Sequence, residues 1–205
     1  MFIVLDGIDG AGKSTQIDML RRWLEGQGFR VTSLRDPGST ALGEAVRDIL
    51  LHREEIPISA CAEMLLYMAA RAQLVNEQIR PALAADRIVI SDRYLLANVV
   101  YQGCAGGVDL EQLWTVGEIA TQGIQPDMTI LLDLPVNTAM ARIGANPDRL
   151  EKRGEAFYQR VRNGFLSQLN RSSAKTVVIN AEKTLQEIHL QISKVVSECL
   201  GSIQI

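Results

Sequence analysis

Cysteine is scarce: Cys61, Cys104 and Cys199 are the chain's three, widely spaced and without a CxxC pair. That pattern supports neither a disulfide framework nor a zinc site, and it suits a reducing cytoplasm. Excess positive charge is missing as well, since 21 Lys and Arg against 24 Asp and Glu leave a net charge of −3. Nothing global draws the chain to nucleic acid or to an anionic membrane, so any anion it binds must be held locally. No apolar run approaches the ~20 residues that span a bilayer. The opening Phe2 to Leu5 is too short for a signal-type core and leads straight into a glycine-rich turn. There is no Ser/Pro-rich linker, internal repeat or abrupt change of composition, so residues 1–205 are expected to form one domain.

What the chain does have begins at once. FIVLDGIDGAGKST, Phe2 to Thr15, is a short apolar run that breaks into glycines, a lysine and two hydroxyls, and it fits G-x-x-x-x-G-K-[ST] through Gly7, Gly12, Lys13 and Ser14. A turn of this kind, Gly7-Ile8-Asp9-Gly10-Ala11-Gly12, lets backbone N–H groups close around phosphate oxygens. The helix that follows aims the positive end of its dipole at the same anion. Lys13 then reaches the β- and γ-phosphates, the Ser14 hydroxyl can bind Mg²⁺, and Thr15 completes the loop. The stretch points to nucleoside triphosphate binding.

Apolar spacing at Ile17, Leu20, Trp23 and Leu24 predicts a helix over 14–26, and Phe29 to Leu34 reads as a second strand. Further helices are expected over 41–51, 59–84 with Pro81 near an end or kink, 110–121, 135–143, 149–169 and 183–200. Strands are expected at 88–90, at 128–134 as a doubly covered central strand, and at 175–179. Gly103 to Gly107 reads as a flexible turn and 144–148 as a loop. Strands alternating with helices give a phosphate-loop α/β fold, a parallel sheet of about five strands with helices on both faces.

Phosphate loops serve switches, motor ATPases and small-molecule kinases, so the loop alone does not choose. An NKxD-type guanine-reading segment is absent, and the chain ends soon after one sheet. A kinase needs a second anion site facing the loop. Arg35 and Arg93 at strand ends, with Arg142, Arg149 and Arg153 later, can furnish one.

GIDGAGKST at Gly7 to Thr15, RDPGST at Arg35 to Thr40, MAARAQL at Met68 to Leu74, SDRY at Ser91 to Tyr94, VYQG at Val100 to Gly103 and DRLE at Asp148 to Glu151 follow one another in order. In this order and spacing the chain resembles the thymidylate kinases over essentially its whole length. The resemblance implies transfer of the ATP γ-phosphoryl group to dTMP, with Mg²⁺, by a homodimer in the cytoplasm that engages neither nucleic acid nor membrane. Two alternatives stay open: a kinase for another nucleoside monophosphate, and an ATP-binding regulatory protein without useful transfer.

The resemblance assigns Lys13 and Arg93 to the transferring and acceptor phosphates, Asp92 to Mg²⁺ together with Ser14, and Asp9 to the sugar of the monophosphate. Tyr67 and Arg71, one helical turn apart, share a face suited to stacking on a base and donating to its carbonyl edge. Asp36, Pro37, Arg47, Asn98, Tyr101 and Gln102 are implied as further contacts to the monophosphate, Tyr101 against the sugar and Pro37 near the base. Residues 142–153 resemble a lid that closes over ATP. Since the phosphate loop holds no arginine, Arg142 and Arg149 are the expected catalytic arginines, with Arg153 behind them. Asp36 and Ser39 depart from the family's more usual glutamate and glycine.

Overall fold

The computed structural model describes residues 1–142, 149 and 153–203. Five strands, β1 (Phe2–Asp6), β2 (Val31–Arg35), β3 (Ile88–Asp92), β4 (Met128–Asp133) and β5 (Lys175–Asn180), form one all-parallel sheet in the order β2-β3-β1-β4-β5. Alternation along β1 distributes its side chains between two cores. Phe2 and Val4 pack with Leu74, Val75, Ile79 and Val89 on one face. Ile3 and Leu5 pack with Leu20, Leu24, Ile192 and Val196 on the other. Both faces being covered, β1 and β4 read as continuous apolar runs, and β4 lies inside the sheet between β1 and β5.

The helices are α1 (Lys13–Gly26), α2 (Ala41–Leu51), α3 (Ala60–Leu74), α4 (Arg80–Ala84), α5 (Leu95–Asn98), α6 (Leu110–Thr121), α7 (Val136–Arg142), α8 (Glu155–Gln168) and α9 (Leu185–Ile203). Four of the described helices begin on a side-chain cap: Thr40, Ser59, Asp109 and Thr184 accept from the N–H groups of Gly43, Ala62, Gln112 and Glu187. The expected helix over 59–84 is one coil that widens to a π-type turn at Val75–Ile79 before α4. Pro81 supplies the reason, because it offers no N–H to the Glu77 carbonyl one turn earlier.

Two expectations are corrected. Gly103 and Cys104 do not belong to a flexible turn. They end a second widened turn, Val99–Cys104, continuous with α5 and closed by the Val108 N–H donating to Gln102 O at 3.0 Å. The helix expected from Arg149 begins only at Glu155, after Gly154 with φ of 80°. The loop expected at 144–148 lies outside the described residues. Because every strand is parallel, the polar groups that follow β1, β2 and β3 collect at one edge of the sheet, where open α/β sheets bind ligands.

Candidate functional site

The turn from Gly7 to Gly12 joins β1 to α1. Gly7 (φ 142°) admits no side chain, since a Cβ would stand 2.5 Å from Leu132 O. Buried Ile8 and Ala11 anchor the turn in the core, while Asp9, Gly10, Gly12, Lys13, Ser14 and Thr15 face an open cleft of about 800 Å³. Lys13 Nζ donates to Gly7 O at 3.0 Å and Ile8 O at 3.1 Å. Burial, and then the neighbouring Arg93 charge, push its pKa down. Ser14 Oγ donates to Asp92 Oδ2 at 3.1 Å. A hydroxyl and a carboxylate at a phosphate cleft are hard oxygen donors that fit Mg²⁺, which keeps waters and phosphate oxygens rather than an all-protein cage. No cluster of three or more acidic, His or Cys ligands occurs among the described residues.

Asp9 and Arg93 form the centre of the site. Arg93 NH2 donates to Asp9 Oδ1, and Asp9 Oδ2 accepts from the hydroxyls of Tyr101 at 2.9 Å and Tyr158 at 3.0 Å. Burial alone would raise the Asp9 pKa; the charges of Arg93 and Lys13 and the two phenols overcome it and hold the carboxyl far below the usual range. Arg93 takes a left-handed backbone, φ 68°, that costs a non-glycine residue energy. Its N–H donates to Leu5 O at 3.0 Å and its carbonyl accepts from Ser91 Oγ at 2.7 Å, which fixes that conformation. The guanidinium lies 4.8 Å from the Tyr101 ring centroid.

Beyond this pair lies a second, partly enclosed cavity. Every residue that the resemblance assigns to the monophosphate lines it: Asp9, Asp36, Pro37, Arg47, Tyr67, Arg71, Arg93, Asn98, Tyr101 and Gln102. Asp9, Asp36, Arg47 and Arg93 line both this cavity and the phosphate cleft, so the two spaces meet there. The Asp36–Pro37 peptide is cis. Buried Arg71 donates from Nε to Asp36 Oδ2 at 2.6 Å, from NH1 to Asn98 Oδ1 at 3.0 Å and from NH2 to Tyr94 O at 3.2 Å. Arg35 is paired with Glu44 outside the cavity. Arg47, by contrast, has no ion pair among the described residues and only a 3.4 Å contact to Pro37 O. Together with Lys13 it leaves two cations facing the cleft without a carboxylate of their own among those residues.

The later arginines are divided. Arg142 donates to Gly10 O at 3.3 Å and Ala181 O at 3.4 Å, lining a separate cleft with Gln16, Lys183 and Thr184 on the far side of the loop. Arg149 reaches Ile58 O at 3.5 Å and stands 3.8 Å from Glu63, which Arg153 binds at 2.8 Å. The structure therefore brings neither Arg142 nor Arg149 into the lining of the cleft over Lys13. The rest of the expected lid, 143–148 and 150–152, lies outside the described residues.

Reading the sequence missed three residues. Tyr158 holds Asp9, but an aromatic in a helical pattern reads as core. Glu63 stands on the face of α3 that carries Tyr67 and Arg71, four and eight residues on, a spacing that could have revealed it. Asp6 closes β1 with a fully buried carboxyl. An acid next to the loop was visible, its burial was not.

A family model described as "Thymidylate kinase" matches residues 5–192. A thymidylate kinase of Rhodopirellula baltica is 46% identical over 186 residues, which span 91% of this chain and 76% of that one. One from a Thermoanaerobacter species is 44% identical over 200 residues, 97% and 98% of the two chains, and one from Fervidobacterium nodosum is 40% identical over 196, 95% and 98%. With a phosphate loop joined through Asp9 and Arg93 to a second cavity, and with relatives matching nearly end to end, the chain belongs to the thymidylate kinase family.

Proposed function

We propose that the protein transfers the γ-phosphoryl group of Mg²⁺-bound ATP to dTMP, giving dTDP and ADP. The observation that carries this reading is the Asp9–Arg93 pair shared by two adjoining spaces. A pure ATP switch has no use for the second one. The phosphate cleft takes the triphosphate, and the second cavity takes the monophosphate, with Tyr67 against the base and Arg71, Asn98 and Gln102 at its polar edge.

The acceptor is already an oxyanion, so no general base is needed. The residues have to position two anions and offset their charge. Arg93, held by Asp9, and Arg47, which has no ion pair among the described residues, receive the acceptor phosphate at the junction. Lys13 leaves its two loop carbonyls for the β- and γ-phosphates. Ser14 and Asp92 hold Mg²⁺, which when bound neutralises charge on those phosphates. Arg142, Arg149 and Arg153 belong to a lid that closes over the reacting groups, within a single domain. Free Cys61, Cys104 and Cys199 suit a cytoplasmic setting. No described helix is long and apolar enough to cross a membrane. The resemblance carries a homodimer, and exposed Leu65 of α3 and Ile119 of α6 offer an apolar face for it.

ADP release from Mg-ATP is measured with dTMP, dUMP, dCMP, dGMP, AMP and thymidine, each against a blank without acceptor. Strong dependence on dTMP is expected. Preference for another monophosphate would move the error to the Tyr67, Arg71 and Gln102 wall, whereas ATP binding without acceptor dependence would remove the kinase reading.

A further inference from the structure

Glu63 is an almost fully buried acid in the first turn of α3, 3% exposed, and the transfer described above gives it no role. It ends a directed chain of hydrogen bonds along the wall of the acceptor cavity. Arg71 NH1 donates to Asn98 Oδ1 at 3.0 Å, Asn98 Nδ2 to Gln102 Oε1 at 2.7 Å, and Gln102 Nε2 to Glu63 Oε1 at 2.9 Å. From the other side Arg153 NH2 donates to Glu63 Oε2 at 2.8 Å, with Arg149 NH2 at 3.8 Å.

The chemistry of the two ends dictates the direction of everything between them. A guanidinium can only donate and a carboxylate can only accept. Arg71 must therefore meet the oxygen of Asn98, whose NH₂ must meet the oxygen of Gln102, whose NH₂ must meet Glu63. Turning the Gln102 amide over would set donor against donor at Asn98 and oxygen against carboxylate at Glu63. In a buried site both mismatches are costly. Asn98 and Gln102 line the cavity, so the same direction fixes which amide atoms face the base.

We propose that Glu63 is the positioning residue that, as the accepting end opposite Arg71, holds the Gln102 amide in register with Asn98 and so makes the acceptor cavity discriminate thymine from cytosine. Thymine presents an N3–H donor beside carbonyl oxygens; cytosine presents an N3 acceptor beside an amino group. A wall whose amides cannot turn over serves one pattern and leaves buried groups unpaired against the other. Gln102 donates to one carboxylate oxygen and Arg153 to the other, so Glu63 accepts at both. This inference rests on the cavity being the monophosphate site.

Glu63→Gln keeps the shape and abolishes the acceptor-only end, because its new NH₂ must face either Gln102 or Arg153, both donors. The ratio of kcat/KM for dTMP to that for dCMP is expected to fall roughly tenfold, while KM for ATP stays within about twofold. In the double variant Glu63→Gln, Arg153→Ala, the amide introduced on α3 is free to turn its oxygen to Gln102. Any loss from Arg153 affects both acceptors alike, so the ratio is expected to recover. Glu63→Asp, still an acceptor, is expected to retain most of the discrimination. An unchanged ratio in Glu63→Gln, or equal losses of discrimination in Glu63→Asp and Glu63→Gln, would overturn the proposal. A wild-type protein with no preference for dTMP would instead remove the underlying assignment of the cavity. Thermal melting of each variant separates loss of fold from loss of discrimination.

Discussion

Asp6 ends β1 with a carboxyl that is 0% exposed and whose two oxygens have no hydrogen-bond partner among the described residues. Burial raises its pKa from the ordinary 3.8 to about 7, with Arg93 and Lys13 opposing. The sign follows from linkage: a folded carboxyl that stays protonated while the unfolded one ionises contributes stability at low pH. That contribution is complete below about pH 4 and lost as pH rises to about 7. The full span is on the order of 4 kcal/mol. Asp6→Asn removes the titration, so its melting temperature relative to wild type should climb between those two pH values and level off above them. A flat difference across thermal melts at several pH values would mean that Asp6 is ionised throughout. Arg93 supports a second expectation at this scale. Arg93→Ala should lower kcat about a hundredfold with dTMP, while ATP binding by titration changes far less. Arg93 was legible in SDRY; the burial of Asp6 was not, because two acids beside one loop look alike until the sheet encloses one of them.

Among the elements, α2 and α6 have the bounds expected from sequence, since a Thr or Asp cap and regular apolar spacing mark them. The two widened turns were not visible, because they depart from the 3.6-residue period on which such a reading relies. Yet the second of them, Val99–Cys104, carries Tyr101 and Gln102 into the acceptor cavity. Its support is α8, whose Gly164 approaches so closely that a Cβ there would stand 2.8 Å from Cys104 Cβ and 3.0 Å from Val100 Cγ1. Gly164→Ala should push the turn away from α8, at a cost of about 1–3 kcal/mol in stability. The same shift should raise KM for dTMP several-fold, since the turn carries Tyr101 and Gln102 into the acceptor cavity, and should change KM for ATP less, since neither residue lines the phosphate cleft. Denaturant melts and steady-state kinetics with each substrate varied check both parts. An unchanged KM for dTMP would separate α8 from the cavity. Ser39 shows a different limit of the sequence reading. It departs from the expected glycine yet holds φ of 62°, kept there by its Oγ accepting from Arg35 N–H at 2.8 Å and its own N–H donating to Glu44 Oε1 at 2.9 Å.

At the scale of the molecule, the parallel sheet gathers the ends of β1, β2 and β3 at one edge, and α3 links that edge to the outer surface. One face of α3 presents Glu63, Tyr67 and Arg71 to the acceptor cavity and its surroundings. Met64 and Met68 pack against Leu113 and Ala120 of α6, while Leu65 of α3 and Ile119 of α6 stay 48% and 73% exposed. In the proposed homodimer these two helices meet their copies, so the partner would brace the same helix that shapes the cavity. Light scattering should then give twice the 22.6 kDa chain mass. Ile119→Asp, a charge placed on the apolar face, should shift the protein to a monomer. Because α3 would lose its brace, KM for dTMP should rise in that monomer. KM for ATP should change less, since Lys13 and Ser14 stand on α1 and no residue of α3 or α6 lines the phosphate cleft. A monomer with an unaltered KM for dTMP would show that α3 holds its shape alone, and a dimer that survives the substitution would place the interface on another face.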